Sequence, residues 1–132
     1  MTKLAFMGAG NMAHAIIGGL MEDGFDAGDI CAADPMESQL ADLKARGVDT
    51  TTSNLDGAAN ADVVIISVKP NVVESLARML APAISDKLVI SIAAGVTTNS
   101  LSTWLQNSTV IRCMPNTPSM VRKGMTGLFA PA

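Results

Sequence analysis

Gly8, Gly10 and Ala13 carry the spacing G-x-G-x-x-A, and the chemistry that spacing suits is the holding of an anion. A glycine at the end of a strand lets the chain turn sharply, and a second lets backbone come close to a pyrophosphate. The third position must be small so that a helix can pack on the sheet. In a chain so rich in Gly and Ala a random shuffle contains this pattern about one time in five, so its surroundings decide its meaning. An apolar run, Leu4-Ala5-Phe6-Met7, precedes it, and Met12, Ile16 and Leu20 follow at helical spacing. A second apolar run, Ile30-Cys31-Ala32-Ala33, ends at Asp34, 21 residues beyond Ala13. A dinucleotide site places an acid there to accept hydrogen bonds from the adenosine ribose. Asp34 also has a plain alternative, a helix cap or turn former before Pro35.

Three further segments have the residue types of a ligand loop. Ser67-Val68-Lys69-Pro70 follows a β-branched run, and Pro70 suits the first position of a helix, where a missing N–H is harmless. Ser91-Ile92-Ala93-Ala94-Gly95 is built of small residues that let a flat ring approach the backbone. Met114-Pro115-Asn116-Thr117-Pro118 sets two hydrogen-bonding side chains between two prolines. Each alone is ordinary turn chemistry, but all fall at the ends of strand-like runs. Asn54 precedes a short helical stretch and could cap it.

The elements that must position these loops alternate along the chain. Strand signals cover Lys3–Met7, Asp29–Ala33, a short piece near Val48, Val63–Ser67, Leu88–Ile92 and Val110–Cys113. Helix signals cover Asn11–Asp23, Glu37–Ala45, a turn around Leu55–Ala59, Val72–Leu80 and Asn99–Leu105. Runs such as Val63-Val64-Ile65-Ile66 lack alternation, as strands buried on both faces do. The expected fold is α/β: a doubly wound, Rossmann-like, mostly parallel sheet with helices on both faces. Residues 1–132 are expected to form one dinucleotide-binding domain.

Composition narrows the function classes. Of 132 residues, 48% are apolar and 16% charged, which suits a globular core rather than a disordered chain. Net charge is −3 with no Lys/Arg cluster, so no nucleic-acid partner is expected. No apolar run approaches a membrane span, and no basic head opens a signal peptide, so a cytoplasmic setting is expected. Cys31 and Cys113 sit in apolar runs without a partner thiol or histidine at ligand spacing, which predicts inert, reduced thiols and no metal site. His14, the sole histidine, reads as an ordinary helix-flank residue, and Trp104 as packing.

Taken together, the strings at 8–13, 67–70, 91–97 and 111–118 resemble pyrroline-5-carboxylate reductase, in that family's order and spacing. The resemblance spans essentially the whole chain. It implies hydride transfer from NADPH or NADH to the C=N bond of 1-pyrroline-5-carboxylate, giving L-proline. Position by position, it implies that Met7, Gly8, Ala9, Gly10, Asn11 and Met12 meet the pyrophosphate. It puts Asp34 and Asn54 near the adenosine ribose. Ser67, Val68, Lys69 and Pro70, with Ile92, Ala93 and Ala94, would line the nicotinamide half. Asn116 and Thr117 would border the imine, and no residue of this chain is assigned acid–base catalysis. Lys69, the obvious ionisable candidate, reads as a cofactor contact rather than a proton donor. The family's C-terminal helical domain, which forms its dimer and holds the substrate carboxylate, is not expected within this chain, so a homo-oligomer is expected only with that domain.

Two points stay open at this level. Asp34 argues against a 2′-phosphate while the resemblance argues for NADPH. The alternatives to a reductase domain are a non-catalytic nucleotide-binding module and a related reductase acting on another small acid.

Overall fold

A computed structural model describes residues 3–84, 87–92, 97–105 and 109–112. Its elements in chain order are β1 (Leu4–Met7), α1 (Asn11–Glu22), β2 (Ile30–Ala33), α2 (Glu37–Ala45), β3 (Asp49–Thr51) and α3 (Asn54–Ala59). They continue with β4 (Val63–Ile66), α4 (Pro70–Ile84), β5 (Leu88–Ser91), α5 (Thr98–Leu105) and β6 (Val110–Arg112). All six strands pair in parallel in the order β3-β2-β1-β4-β5-β6. That order reverses between β1 and β4, the point where ligands bind outside the carboxyl ends of the strands.

The uninterrupted apolar strands are explained by what covers them. Every residue of β1 and of β4 is buried. Leu4, Phe6, Val63 and Ile65 face the core that holds Ile16, Ile17 and Leu20 of α1 and Leu40 and Leu43 of α2. Ala5, Met7, Val64 and Ile66 face the opposite core, with Val73, Leu76 and Leu80 of α4 and Leu101 and Leu105 of α5. Helices therefore lie on both faces, and a clean polar alternation has no place in the strands.

Several boundaries differ from the sequence expectation, most by one or two residues, and three bear on the packing. The helix α4 continues through Pro82 to Ile84, past the expected end at Leu80. Ala81 and Ile84 are buried, and that burial holds the last turn although Pro82 has no N–H for it. Asn54 is the first residue of α3 and not its cap. Ser53 caps instead, its Oγ accepting the Asp56 N–H at 3.3 Å. A 3-10 turn at Ala27–Asp29, capped by Asp26, leads into β2 where none was expected.

α3 is short, and it sits close on the sheet because Gly57 has no side chain. A Cβ at Gly57 would lie 3.2 Å from Ala33 Cβ, 3.3 Å from Thr51 Cγ2 and 3.4 Å from Met7 Cε. No helix among the described residues is long and apolar enough to cross a membrane.

Candidate dinucleotide-binding site

Three residues, Gly8 to Gly10, turn the chain from β1 into α1. Gly8 has φ +105°, where an L side chain is strained. A Cβ there would also stand 2.8 Å from Val68 Cγ1 and 3.2 Å from the Ser67 carbonyl. Glycine is thus demanded twice at position 8, by the turn and by the β4–α4 loop lying against it. Gly10 is different. Its φ of −80° and ψ of −170° suit any residue, and a Cβ there would meet nothing within 4 Å. The fold does not need glycine at position 10, whereas close approach of a ligand to the backbone would.

Gly10 is also the N-cap of α1. Its carbonyl accepts the His14 N–H at 3.0 Å, yet no side chain caps the helix and no acid lies in its first turn. Gly10 thus offers the N–H groups that open this 12-residue helix no side-chain acceptor, and the first turn itself holds no acid to offset the positive end of the dipole. Such an end at the β1/β4 switch point is suited to a phosphate. Met7 and Ala9 turn their side chains into the two cores, so only their backbone faces the loop.

Hydrogen bonds beyond the strand ends hold this edge together. Gly8 N–H donates to Ala33 at 2.7 Å, Ser67 N–H to Met7 at 3.0 Å, and Ile92 N–H to Ile66 at 3.1 Å. The Ser67 hydroxyl lies 3.0 Å from the Met7 carbonyl and 2.8 Å from that of Gly8. Ser67 thus ties the glycine turn to β4. The Lys69 carbonyl accepts the Val72 N–H at 2.9 Å, which starts α4, while Pro70 at the head of that helix is exposed.

Asp34 follows β2 directly. Its Oδ2 accepts the Ala9 N–H at 2.9 Å and its Oδ1 accepts the Met36 N–H, also at 2.9 Å. The turn-forming role and the contact with the glycine loop are both present in one carboxylate. Asn54 borders the same edge beside Gly8 and Pro35, and its Oδ1 is buried without a hydrogen-bond partner. A buried amide oxygen left without a donor is one that a ligand's N–H or O–H can satisfy.

Between these loops lies an apolar trough of about 220 Å³, lined among others by Gly8, Pro35, Asn54, Val68, Val72 and Met79. Pro35, Val72 and Met79 were missed in the sequence. A signal existed: Val72 and Met79 sit seven apart on α4, off the buried stripe of Val73, Leu76 and Leu80, and both remain over 40% exposed. Ala93, Ala94, Asn116 and Thr117, and with them Cys113, lie outside the described residues.

Other candidate groups stand apart from this edge. His14 Nε2 lies 2.8 Å from the Gln39 carbonyl, and its Nδ1 is 4.0 Å from Asp42, so it links α1 to α2. Burial, and secondarily the Asp49 carboxylate, push the Cys31 thiol up to about 11, which keeps it protonated and unreactive at neutral pH. Trp104 packs at the edge of the α4–α5 core.

A family model described as NADP oxidoreductase, coenzyme F420-dependent, matches residues 3–95. The chain belongs to that family. Pyrroline-5-carboxylate reductase of Pseudomonas aeruginosa is 46% identical over 133 residues, covering 98% of this chain and 49% of that protein. The structure of a pyrroline-5-carboxylate reductase from Coxiella burnetii matches with a TM-score of 0.86 at 42% identity, over 92% of this chain and 46% of that one. Plasmodium falciparum pyrroline carboxylate reductase, solved with NADP bound, matches with a TM-score of 0.77 at 28% identity, over 91% and 44%. The chain spans about half the length of the curated relatives it matches. The resemblance read from the four loop strings is borne out, and so is the doubly wound parallel fold.

Proposed function

We propose that this chain is the cofactor-binding domain of an NAD(P)H-dependent imine reductase that converts 1-pyrroline-5-carboxylate to L-proline in the cytoplasm. The observation that carries the reading is the uncapped start of α1 beside open space at Gly10, at the β1/β4 switch point. The likeness to named pyrroline-5-carboxylate reductases supplies the substrate.

The residues present fit a nicotinamide dinucleotide. The backbone of Gly8 to Met12 takes the pyrophosphate through the N–H groups that open α1. Asp34 accepts from the adenosine ribose, and the adenine lies in the trough between Pro35, Val68, Val72 and Met79. The orphaned Asn54 Oδ1 takes a donor from the same nucleoside. Ser67 to Pro70 and Ile92 border the nicotinamide half; the family resemblance alone assigns Ala93 and Ala94 to that half and Asn116 and Thr117 to the imine. The bound cofactor supplies the hydride, so the protein's task is orientation. Ser67 ties the glycine turn to the end of β4 and so holds the two strand ends in register. No strong protein acid is required, because a protonated imine already accepts hydride.

The test is an assay of the full-length protein for proline formed from 1-pyrroline-5-carboxylate with NADH and with NADPH. Proline should appear with at least one cofactor, and its absence with both overturns the reading. Tight nucleotide binding without proline would establish the non-catalytic module instead.

A further inference from the structure

We propose that Asp34 makes this site selective for a dinucleotide with a free adenosine 2′-hydroxyl, NADH, over its 2′-phosphorylated counterpart, NADPH. The inference rests on the dinucleotide reading above and adds the choice between its two cofactors. It comes from how the carboxylate is held and from what surrounds it.

Asp34 is fixed at three points. Its N–H donates to the Thr51 carbonyl at 3.1 Å, which anchors its backbone to β3. Its two oxygens accept from Ala9 and Met36, both at 2.9 Å, one in the glycine turn and one at the start of α2. A carboxylate gripped from two loops cannot swing aside for a phosphate without leaving two backbone donors unpaired. Each oxygen keeps lone-pair capacity, so a ribose diol can still donate to it.

The neighbouring charges reinforce this exclusion. Among the described residues Asp34 takes part in no ion pair with Lys or Arg. The residues after it are Pro35, Met36 and Glu37, so the segment adds a second acid and no base. The first basic residue downstream, Lys44, lines a groove with Leu40, Ala41 and Thr50 to Thr52 beside β3, not the trough that begins at Pro35. An opposing pull comes from α2, which starts after Met36 without a side-chain cap, since a helix N-terminus attracts anions. That attraction is worth about two- to fivefold in affinity. Contact between a phosphate and a fixed carboxylate costs about a hundredfold, so the exclusion dominates.

Calorimetric titration of the full-length protein with NADH and with NADPH tests this. NADPH should bind at least about tenfold more weakly than NADH. Asp34→Asn keeps one acceptor oxygen and removes the charge, and it should bring the two affinities within about threefold by tightening NADPH. Asp34→Glu keeps the charge and should preserve a preference for NADH. The proposal is overturned if the unaltered protein binds NADPH as tightly as NADH. It is also overturned if Asp34→Asn weakens both nucleotides equally, the result of a purely loop-holding role. Failure of the unaltered protein to bind either nucleotide would instead overturn the dinucleotide site itself.

Discussion

Gly8 and Gly10 stand two residues apart and have opposite reasons to be glycine. At Gly8 the left-handed φ and the Val68 methyl 2.8 Å from a would-be Cβ make the demand structural. Gly8→Ala should cost about 2 kcal/mol or more of stability, read as a lower denaturant midpoint. At Gly10 the backbone is ordinary and the space is open. Gly10→Val should cost only about 1 kcal/mol of stability, the loss of a tolerated N-cap residue, and weaken dinucleotide binding by about a hundredfold or more. A Gly10→Val protein that binds normally would put the phosphates elsewhere. Cys31 gives a different residue-scale prediction. Its thiol is raised from 9.0 to about 11 by burial and by Asp49, so the folded protein keeps a proton that the unfolded chain has already lost. The unfolded state then binds fewer protons, and stability falls as pH rises. The contribution is whole below about pH 9 and is lost progressively toward pH 11. Unfolding midpoints at rising pH should therefore fall more steeply for the unaltered protein than for Cys31→Ala.

The helices differ in what holds them. α4 shows a strong stripe, Val73, Leu76, Ala77, Leu80 and Ile84, so tertiary burial carries it through Pro82. α3 has six residues and cannot be stable alone. It depends on the Ser53 cap and on Gly57 letting it settle onto Ala33, Thr51 and Met7. Gly57→Leu should force α3 off the sheet and destabilise by about 2–3 kcal/mol. It should also weaken nucleotide binding, because Asn54 rides on the same helix. A stability loss without any loss of binding would separate α3 from the site.

For the whole molecule, the strand order makes the site. β1 and β4 are far apart in sequence yet pair directly, from Leu4 opposite Val63 to Met7 opposite Ile66. Because their connections leave in opposite directions, the glycine turn, Asp34 and the Ser67 loop meet at one edge. A ligand bound there stabilises the whole fold by linkage. Dinucleotide at about 100 times its dissociation constant should add about 2.7 kcal/mol, seen as a raised melting temperature that Gly10→Val abolishes. An unshifted melting temperature at saturation would contradict binding to the folded state.

Much of this is legible in the residues themselves. The unbroken apolar strands announce a sheet covered on both faces, because such runs are tolerated only where no face meets water. The spacing of Gly8, Gly10, Ala13 and Asp34 announces a nucleotide edge, and the loop strings announce the family. What the residues leave undecided depends on distance across the fold. Asp34 could be a turn former or a ligand acid; the hydrogen bonds to Met36 and to Ala9, 25 residues upstream, make it both a turn former and a latch on the glycine loop. Ser67 reads in sequence as a contact for the cofactor, yet its hydroxyl is committed to the carbonyls of Met7 and Gly8. The trough of Pro35, Val68, Val72 and Met79 exists only once β2, β4 and α4 converge. Local spacing reports what one segment prefers, but a pocket is a relation among segments, and only the packed sheet sets it.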